Sequence, residues 1–391
     1  MTESKQALLS RREFAACSSL IMIRCAAAAS GQTADPANGL RVRMVKQFKN
    51  GHLLDTSPDG SKICLFFGRA VESFSWRGAW KRDGVDAGKT SLVVIEVGTW
   101  RAICSVALRE RPIAASFFPD GEVVYAETMA FRTAARYVRQ QLLIAVQDCR
   151  VEENLRAEKP EEMSTYYSQA LADRTLLGTQ LKRRERFYAL VRARVPTYDE
   201  LQQEDISPRE TFGTPTTVMT SSDRKILAYA VDHSVVCRRS DNLKIVWQRL
   251  VDLRLEVSQL AISSDGSRVA ISAVNTRFVE QQREYYVAVL NGRDGSLISK
   301  VPVNGDVGID ISPDGNFLSV SQRKADARPQ RIRPSVQIYE VDSHQLVATV
   351  SHDEVSTRDG YIGGLLQSRF TSDGKYLITF GDDDTRVWEL G

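Results

Sequence analysis

The chain has 391 residues, 42% hydrophobic and 26% charged, enough for a large buried core. A formal net charge of +3 excludes a bulk polycation built for nucleic acid, and no run approaches the roughly 18 apolar residues a membrane helix needs. The six cysteines include no C-x-x-C pair, which leaves a zinc or dithiol reading without support.

At the N-terminus, Ser10-Arg11-Arg12-Glu13-Phe14 opens a weakly apolar stretch from Ala15 to Ala29, followed by small residues and Asp35-Pro36. Paired arginines, an aromatic two positions later, a modest apolar segment and a small-residue exit resemble a twin-arginine export signal. Arg24 interrupts the apolar segment, and no single cleavage site stands out between Ala29 and Ala34. Most of the apolar segment follows Cys17 rather than preceding it, which argues against a lipoprotein box. The expectation is an export signal over 1–34 and a periplasmic or otherwise exported bacterial protein. The folded domain is then 35–391.

After a short linker, Leu40 to Val45 alternates apolar and charged residues as a half-buried strand does, with no partner of its own. A turn then recurs. Ser57-Pro58-Asp59-Gly60 returns as Phe118-Pro119-Asp120-Gly121, Ser264-Asp265-Gly266, Ser312-Pro313-Asp314-Gly315 and Ser372-Asp373-Gly374, with a weaker copy at Ser222-Asp223-Arg224. Asp bonds to backbone two residues on, Pro presets φ, and Gly accepts a positive φ. Each copy is followed by a short β-type run, the first from Ile63 to Phe67 and the last from Tyr376 to Phe380. The unit reads strand, turn, strand, loop, strand, strand. The sixth unit stops one strand short at Leu390, and the lone N-terminal strand supplies what is missing. Four-stranded units closed into a ring make an all-β fold, a β-propeller.

The interval from Asp120 to Asp223 is more than twice the roughly 40 to 45 residues of a blade. Within it, Leu177, Leu181, Tyr188, Val191 and Val195 fall at helical spacing, while Phe187, Ala189, Val191, Ala193 and Val195 alternate. The helix formers of Thr179 to Phe187 favour a partly helical insertion over 157–214 and six blades. A degenerate seventh blade is the alternative.

The last unit carries a family resemblance. Asp384-Thr385-Arg386-Val387-Trp388 places an Asp two residues before Arg-Val-Trp, and Val336-Gln337-Ile338-Tyr339 repeats that strand with Tyr in place of Trp. Together with the turns, this resembles the WD-repeat propeller family over about 40–391. Gly-His pairs are nearly absent (only Gly51-His52), and the units lack the terminal Trp-Asp. The resemblance implies a propeller that binds a partner, and it does not choose the ligand.

No catalytic pattern emerges. G-x-S-x-G, H-E-x-x-H and C-x-x-C-H are absent. Gly84 to Thr90 is one residue short of a phosphate loop and runs into a strand rather than a helix. His52, His233, His344 and His352 are scattered and read as surface or structural, one Asp of Asp382-Asp383-Asp384 as a turn stabiliser, and Cys64, Cys104 and Cys237 as buried free thiols. No catalytic residue, metal or cofactor is assigned.

The loops carry the functional signal. Connections between second and third strands, and between blades, emerge on one face of a propeller, and these have grown here. Arg69 to Thr90 holds Trp76 and Trp80; Ala130 to Gln140 holds Arg132, Arg136 and Tyr137; Asn275 to Glu284 holds Arg277 and Phe278; Gln322 to Pro334 holds Arg328, Arg331 and Arg333. Trp, Tyr and Arg are the types most enriched in interface hot spots. The expected function is a non-catalytic binding platform that captures an acidic protein or ligand on a basic, loop-rich face. Arg and aromatics would also suit nucleic acid, but export argues against it. The other reading is a propeller enzyme with a small polar substrate or metal at the central channel.

Overall fold

The recurring turn is built by side chains as much as by backbone. Ser57 Oγ donates to Asp59 Oδ1 at 2.6 Å and accepts the Lys62 N–H at 2.8 Å, while Asp59 also accepts the Ser61 N–H at 3.0 Å. The same closed set recurs at Ser221/Asp223, Ser263/Asp265, Ser312/Asp314 and Thr371/Asp373. The hydroxyl therefore comes from the residue two before the Asp. Phe118 stands there in the second unit and is buried in an apolar cluster instead.

A computed structural model describes residues 40–391 apart from 69–89, 109–110, 134–135, 158–164, 173, 183–186, 196, 198, 207–217, 232, 252–254, 276–284, 304–306, 326–330, 354, 357–365 and 382–383. The segment 1–34, expected to be an export signal, lies outside these residues. The first strand, β1 (Val42–Lys49), stands before the blades. Blade 1 is β2 (Gly51–Thr56), β3 (Lys62–Phe67), β4 (Thr90–Glu96) and β5 (Arg101–Leu108); blade 2 is β6 (Arg111–Phe117), β7 (Val123–Thr133), β8 (Arg136–Ala145) and β9 (Arg150–Ala157). Blade 3 is β10 (Thr165–Leu171), β11 (Thr175–Lys182), β12 (Phe187–Arg194) and β13 (Asp199–Asp205). Blade 4 is β14 (Met219–Thr220), β15 (Ile226–Val231), β16 (Ser234–Arg239) and β17 (Ile245–Leu250). Blade 5 is β18 (Leu255–Ile262), β19 (Arg268–Asn275), β20 (Tyr285–Asn291) and β21 (Leu297–Val303). Blade 6 is β22 (Gly308–Ile311), β23 (Phe317–Ala325), β24 (Arg331–Glu340) and β25 (Leu346–Ser351), with β26 (Val355–Ser356) extending β24's pairing. Blade 7 is β27 (Gln367–Phe370), β28 (Tyr376–Phe380) and β29 (Asp384–Leu390), completed by β1.

The closure is the predicted one. β1 runs antiparallel to β29 from Val42↔Leu390 to Lys49↔Asp384, and the Arg41 and Gly391 backbones exchange two hydrogen bonds of 2.9 Å beyond the ladder.

The segment 157–214 corrects the preferred six-blade count. Its described residues hold no helix; they form blade 3, in register from Thr175↔Arg194 to Lys182↔Phe187. The degenerate seventh blade is the arrangement adopted. The helical spacing had a physical source. A middle strand of a propeller is covered on both faces, so Leu176, Leu177, Leu190 and Val191 are all buried and apolar residues satisfy both periods at once. The turn signal was weak because blade 3's first turn is short, with Ala172 O accepting the Thr175 N–H and no Ser-x-Asp-Gly.

Apolar packing lies between blades rather than at the centre. Seven clusters join blades 1–2, 2–3, 3–4, 4–5, 5–6, 6–7 and 7–1 in turn. The first turns of adjacent blades also lock together. Ser264 N donates to Pro313 O at 3.1 Å, and Ser372 Oγ to Ser57 O at 3.0 Å. A Cβ on Gly60 (φ +74°) would stand 2.8 Å from the Asp373 backbone nitrogen, so this glycine serves both a left-handed turn and a close approach to the next blade.

Candidate binding site

Strand direction alternates within each blade, so the two ends of the ring differ. The first turns of the blades, with those between third and fourth strands, occupy one end. The ends of β3 and β4, β7 and β8, or β23 and β24 that feed the second-to-third connections point the other way, as do the links between blades. The tight turns thus share one face and the enlarged connections feed the other.

Trp76, Trp80, Arg277, Phe278 and Arg328 lie outside the described residues. Arg132, Arg136 and Tyr137 do not sit in a loop, as the sequence suggested, but in strands. β7 runs 11 residues and β8 10, with Phe131↔Tyr137 and Thr133↔Arg136 paired near the tip. Arg331 and Arg333 likewise belong to β24, a 10-residue strand whose register sets Arg333 opposite Lys324, and Arg333 is exposed. By contrast, β15 and β16 have six residues each. The predicted residues that are described, Arg132, Arg136, Tyr137, Arg331 and Arg333, therefore belong to two long hairpins. Those hairpins belong to blades 2 and 6, with blades 7 and 1 between them, so the ring does not bring the two groups into one cluster.

The inner strands hold a second set that the sequence reading passed over. First strands of neighbouring blades pack side by side: β2 with β6, β6 with β10, β18 with β22, and β22 with β27. Each presents an open edge to the channel, and its N–H groups need acceptors. Side chains of the preceding blade supply them. Asp55 accepts the Phe117 N–H at 2.9 Å, Ser116 the Ala170 N–H at 3.1 Å, Gln259 the Ile309 N–H at 3.3 Å, and Asp310 the Phe370 N–H at 2.7 Å.

Two arginines tie these acceptors together. Arg369 of blade 7 bonds Asp55 of blade 1 at 2.9 Å. Arg224 occupies the glycine position of blade 4's turn, at φ +57°, and is 8% exposed. Its Nη1 lies 2.6 Å from both Gln169 Oε1 and Thr220 Oγ1; its Nη2 reaches Phe117 O at 3.4 Å and Asp55 Oδ2 at 3.9 Å. One guanidinium thus links blades 4, 3, 2 and 1. Two bases face two acids, so the cluster is electrically balanced. Among the described residues, no three His, Cys, Asp or Glu side chains gather to hold a metal ion.

Comparison with known proteins places the architecture. No family model matches the chain, and no curated protein does. Solved structures match over nearly the whole ring. The β-propeller domain of Cps50 (Swd1) from Myceliophteria thermophila aligns at TM-score 0.57 and 9% identity, covering 90% of this chain and 99% of that one. A chain of the Mitotic Checkpoint Complex aligns at TM-score 0.53 and 11% identity, covering 94% and 99%. The WD40 domain of SCAP from fission yeast aligns at TM-score 0.47 and 13% identity, covering 90% and 98%. The chain shares the fold of the Cps50 (Swd1) β-propeller domain. At such identities the likeness extends to the fold alone.

Blade 7 carries a further buried chain. Trp388 Nε1 donates to Thr379 Oγ1 at 2.8 Å, Thr379 Oγ1 lies 2.6 Å from His352 Nε2, and His352 Nδ1 lies 2.8 Å from Asp384 Oδ1. The indole donates to the hydroxyl, the hydroxyl and Nε2 share a hydrogen bond, and Nδ1–H donates to the carboxylate. Arg386 Nε adds 2.9 Å to Asp384 Oδ2. Burial would raise the Asp384 carboxyl, yet bonds from His352, Arg386 and Gln47 hold it well below the usual range. His352 and Asp384 are thus structural; the carboxylate holds His352, Arg386 and Gln47 across the seam, whereas the sequence suggested a turn stabiliser.

Asp310 behaves oppositely. Burial, only partly offset by Arg369 and by the Phe370 and Ile311 N–H groups, pushes its carboxyl up to about 6 from 3.8. A raised carboxyl binds its proton more tightly folded than unfolded, so stability falls as pH rises from about 4 to 6 and is level above. Asp310→Asn keeps the acceptor for Phe370 and removes the titration. At about 1.4 kcal/mol per pKa unit, the variant should be steadier than wild type by about 2–3 kcal/mol at pH 7.5 and converge with it near pH 4. Urea midpoints across that range check this; parallel curves for the two proteins would refute it.

Proposed function

We propose that this propeller is a non-catalytic protein-binding platform, exported by its N-terminal segment, that captures an acidic partner on the face fed by its enlarged connections. The observation that carries the reading is the pair of long hairpins, β7–β8 and β23–β24, which outrun the other inner strand pairs and bear Arg132, Arg136, Tyr137, Arg331 and Arg333. Lys324 stands opposite Arg333 in the β23–β24 ladder, so two bases share one position of that hairpin. The opposite face is occupied by turns bonded to one another, with a hollow of about 250 Å³ between blades 6 and 7 among the described residues. One of the solved structures of similar fold belongs to the Mitotic Checkpoint Complex, a multi-protein assembly by its name; binding a protein partner is the corresponding role here.

The test is capture from envelope and cytosolic extracts of the source bacterium with residues 35–391 as bait, beside a bait carrying Arg328→Glu, Arg331→Glu and Arg333→Glu. An acidic protein from the envelope, released by salt and weakened at least tenfold by the reversals, is expected. Equal retention by both baits would remove the basic face. A partner confined to the cytosol would remove the exported location.

A further inference from the structure

A second repeated turn positions a reactive pair. The last residue of the turn between third and fourth strands has a left-handed backbone wherever that turn is fully described in blades 1 to 6: Trp100, Cys149, Leu243, Gly295 and His344, with φ from +53° to +71°. That geometry presses the residue onto the preceding blade. Trp100 of blade 1 meets the Tyr376 ring of blade 7 at 5.1 Å, and Leu243 of blade 4 is buried in the cluster shared with blade 3.

In blade 2 the residue is a cysteine, and the strand it meets carries another. Cys149 Sγ accepts the Ser105 N–H at 3.3 Å and donates to Ile103 O at 3.8 Å. Ile103 and Ser105 flank Cys104 in β5. Cys104 is 2% exposed and shares one apolar cluster with Cys149. Cys149 Sγ thus lies against the backbone on either side of Cys104, and burial pushes the Cys104 thiol up to about 12. Cys149 is half-buried and open to reagents, whereas Cys64 and Cys237 are sealed. Cys64 cannot compete for Cys104, because the register runs Cys64↔Val94↔Cys104. Two strand spacings, roughly 9–10 Å, exceed the ~7 Å Cα limit of a disulfide.

We infer that Cys104 and Cys149 form a reversible disulfide that staples blade 1 to blade 2. The oxidant is a small disulfide such as glutathione disulfide. The Cys149 thiolate attacks one of its sulfurs and expels one glutathione thiolate. Cys104 then gives its proton to solvent and attacks Cys149 Sγ, forming the protein S–S bond and expelling the second glutathione. Two protein thiols are oxidised and one disulfide is reduced to two thiols. Local delivery by the turn makes the second step intramolecular. The inference does not depend on the binding face or on export, since the reagent supplies the oxidant.

The experiment treats the full native chain with glutathione disulfide, digests it without reduction and maps the peptides by mass spectrometry. The expected product joins the peptide of Cys104 to that of Cys149, at least tenfold over any other pair among Cys64, Cys104, Cys149 and Cys237. The urea-denatured chain should lose that preference. Oxidised protein should melt several degrees higher than reduced, a difference abolished in Cys149→Ser and in Cys104→Ser. Cys149 found only as its glutathione adduct, or a linkage no commoner than in the denatured chain, would overturn the inference.

Discussion

Replacing Arg224 by Gly should destabilise the protein by about 2–4 kcal/mol, although the local turn argues the opposite. Gly occupies this position in the turns of blades 1, 2, 5, 6 and 7, at φ between +68° and +75°. Relieving a non-glycine residue of a left-handed backbone should gain about 1–2 kcal/mol. The loss is larger. Gln169, Thr220 and Phe117 O each lose a donor, and Asp55 loses one of two cations. Breaking a buried ion pair from one side costs about 3–5 kcal/mol. Burial draws the Arg224 guanidinium down, against the pull of Asp55, but a guanidinium stays charged. Equilibrium unfolding in urea decides the sign. A midpoint at or above wild type would mean that the turn outweighs the channel network.

His352→Ala should have a comparable effect, centred on the seam. The substitution leaves the Thr379 hydroxyl without its imidazole partner and Asp384 without one of its three side-chain donors, in a site where both are buried. Unsatisfied buried groups cost about 1–3 kcal/mol each, so a loss of about 2–4 kcal/mol is expected. The pH dependence gives a second signature. A depressed carboxyl contributes stability that is present above its ordinary value near 3.8 and is lost as pH falls below it. With His352 gone, less of that depression remains, and acid unfolding should begin at higher pH than in wild type. Amide exchange should quicken in β28 and β29 before the other blades. Uniform quickening around the ring would contradict this.

The turns, the strands following them and the closure by β1 were legible because they rest on local chemistry: Asp and Gly at fixed offsets, and a lone strand matched to a missing one. Blade 3 was less so. Its first turn carries no Ser-x-Asp-Gly, and a strand buried on both faces erases the alternation that identifies strands. The long hairpins were read as loops because their arginines and aromatics resemble connector composition, although Ala130 to Gln140 alternates well enough to continue a ladder. The channel cluster was invisible as a cluster because its members come from six blades. Its signal was nonetheless present. Asp55 and Asp310 each stand two residues before the turn serine in otherwise apolar inner strands, and Arg224 stands where its counterparts are glycine. A charge in such a strand, or a long side chain where the pattern wants none, is a mark of contact across the ring.

The ring closes through the β1–β29 ladder and the packing of β1 against blades 1, 6 and 7, and its two ends emerge side by side. Arg41 and Gly391 sit at the same end of the β1–β29 ladder. A pull that separates those ends loads the ladder one pair at a time, from Val42↔Leu390 inward, rather than all pairs together. Mechanically, the seam is a zipper with its slider at the rim. A motor that draws this chain through a pore from the C-terminus would meet that ladder first. Once blade 7 lost its outer strand, each remaining blade would present its own flank to be peeled in turn.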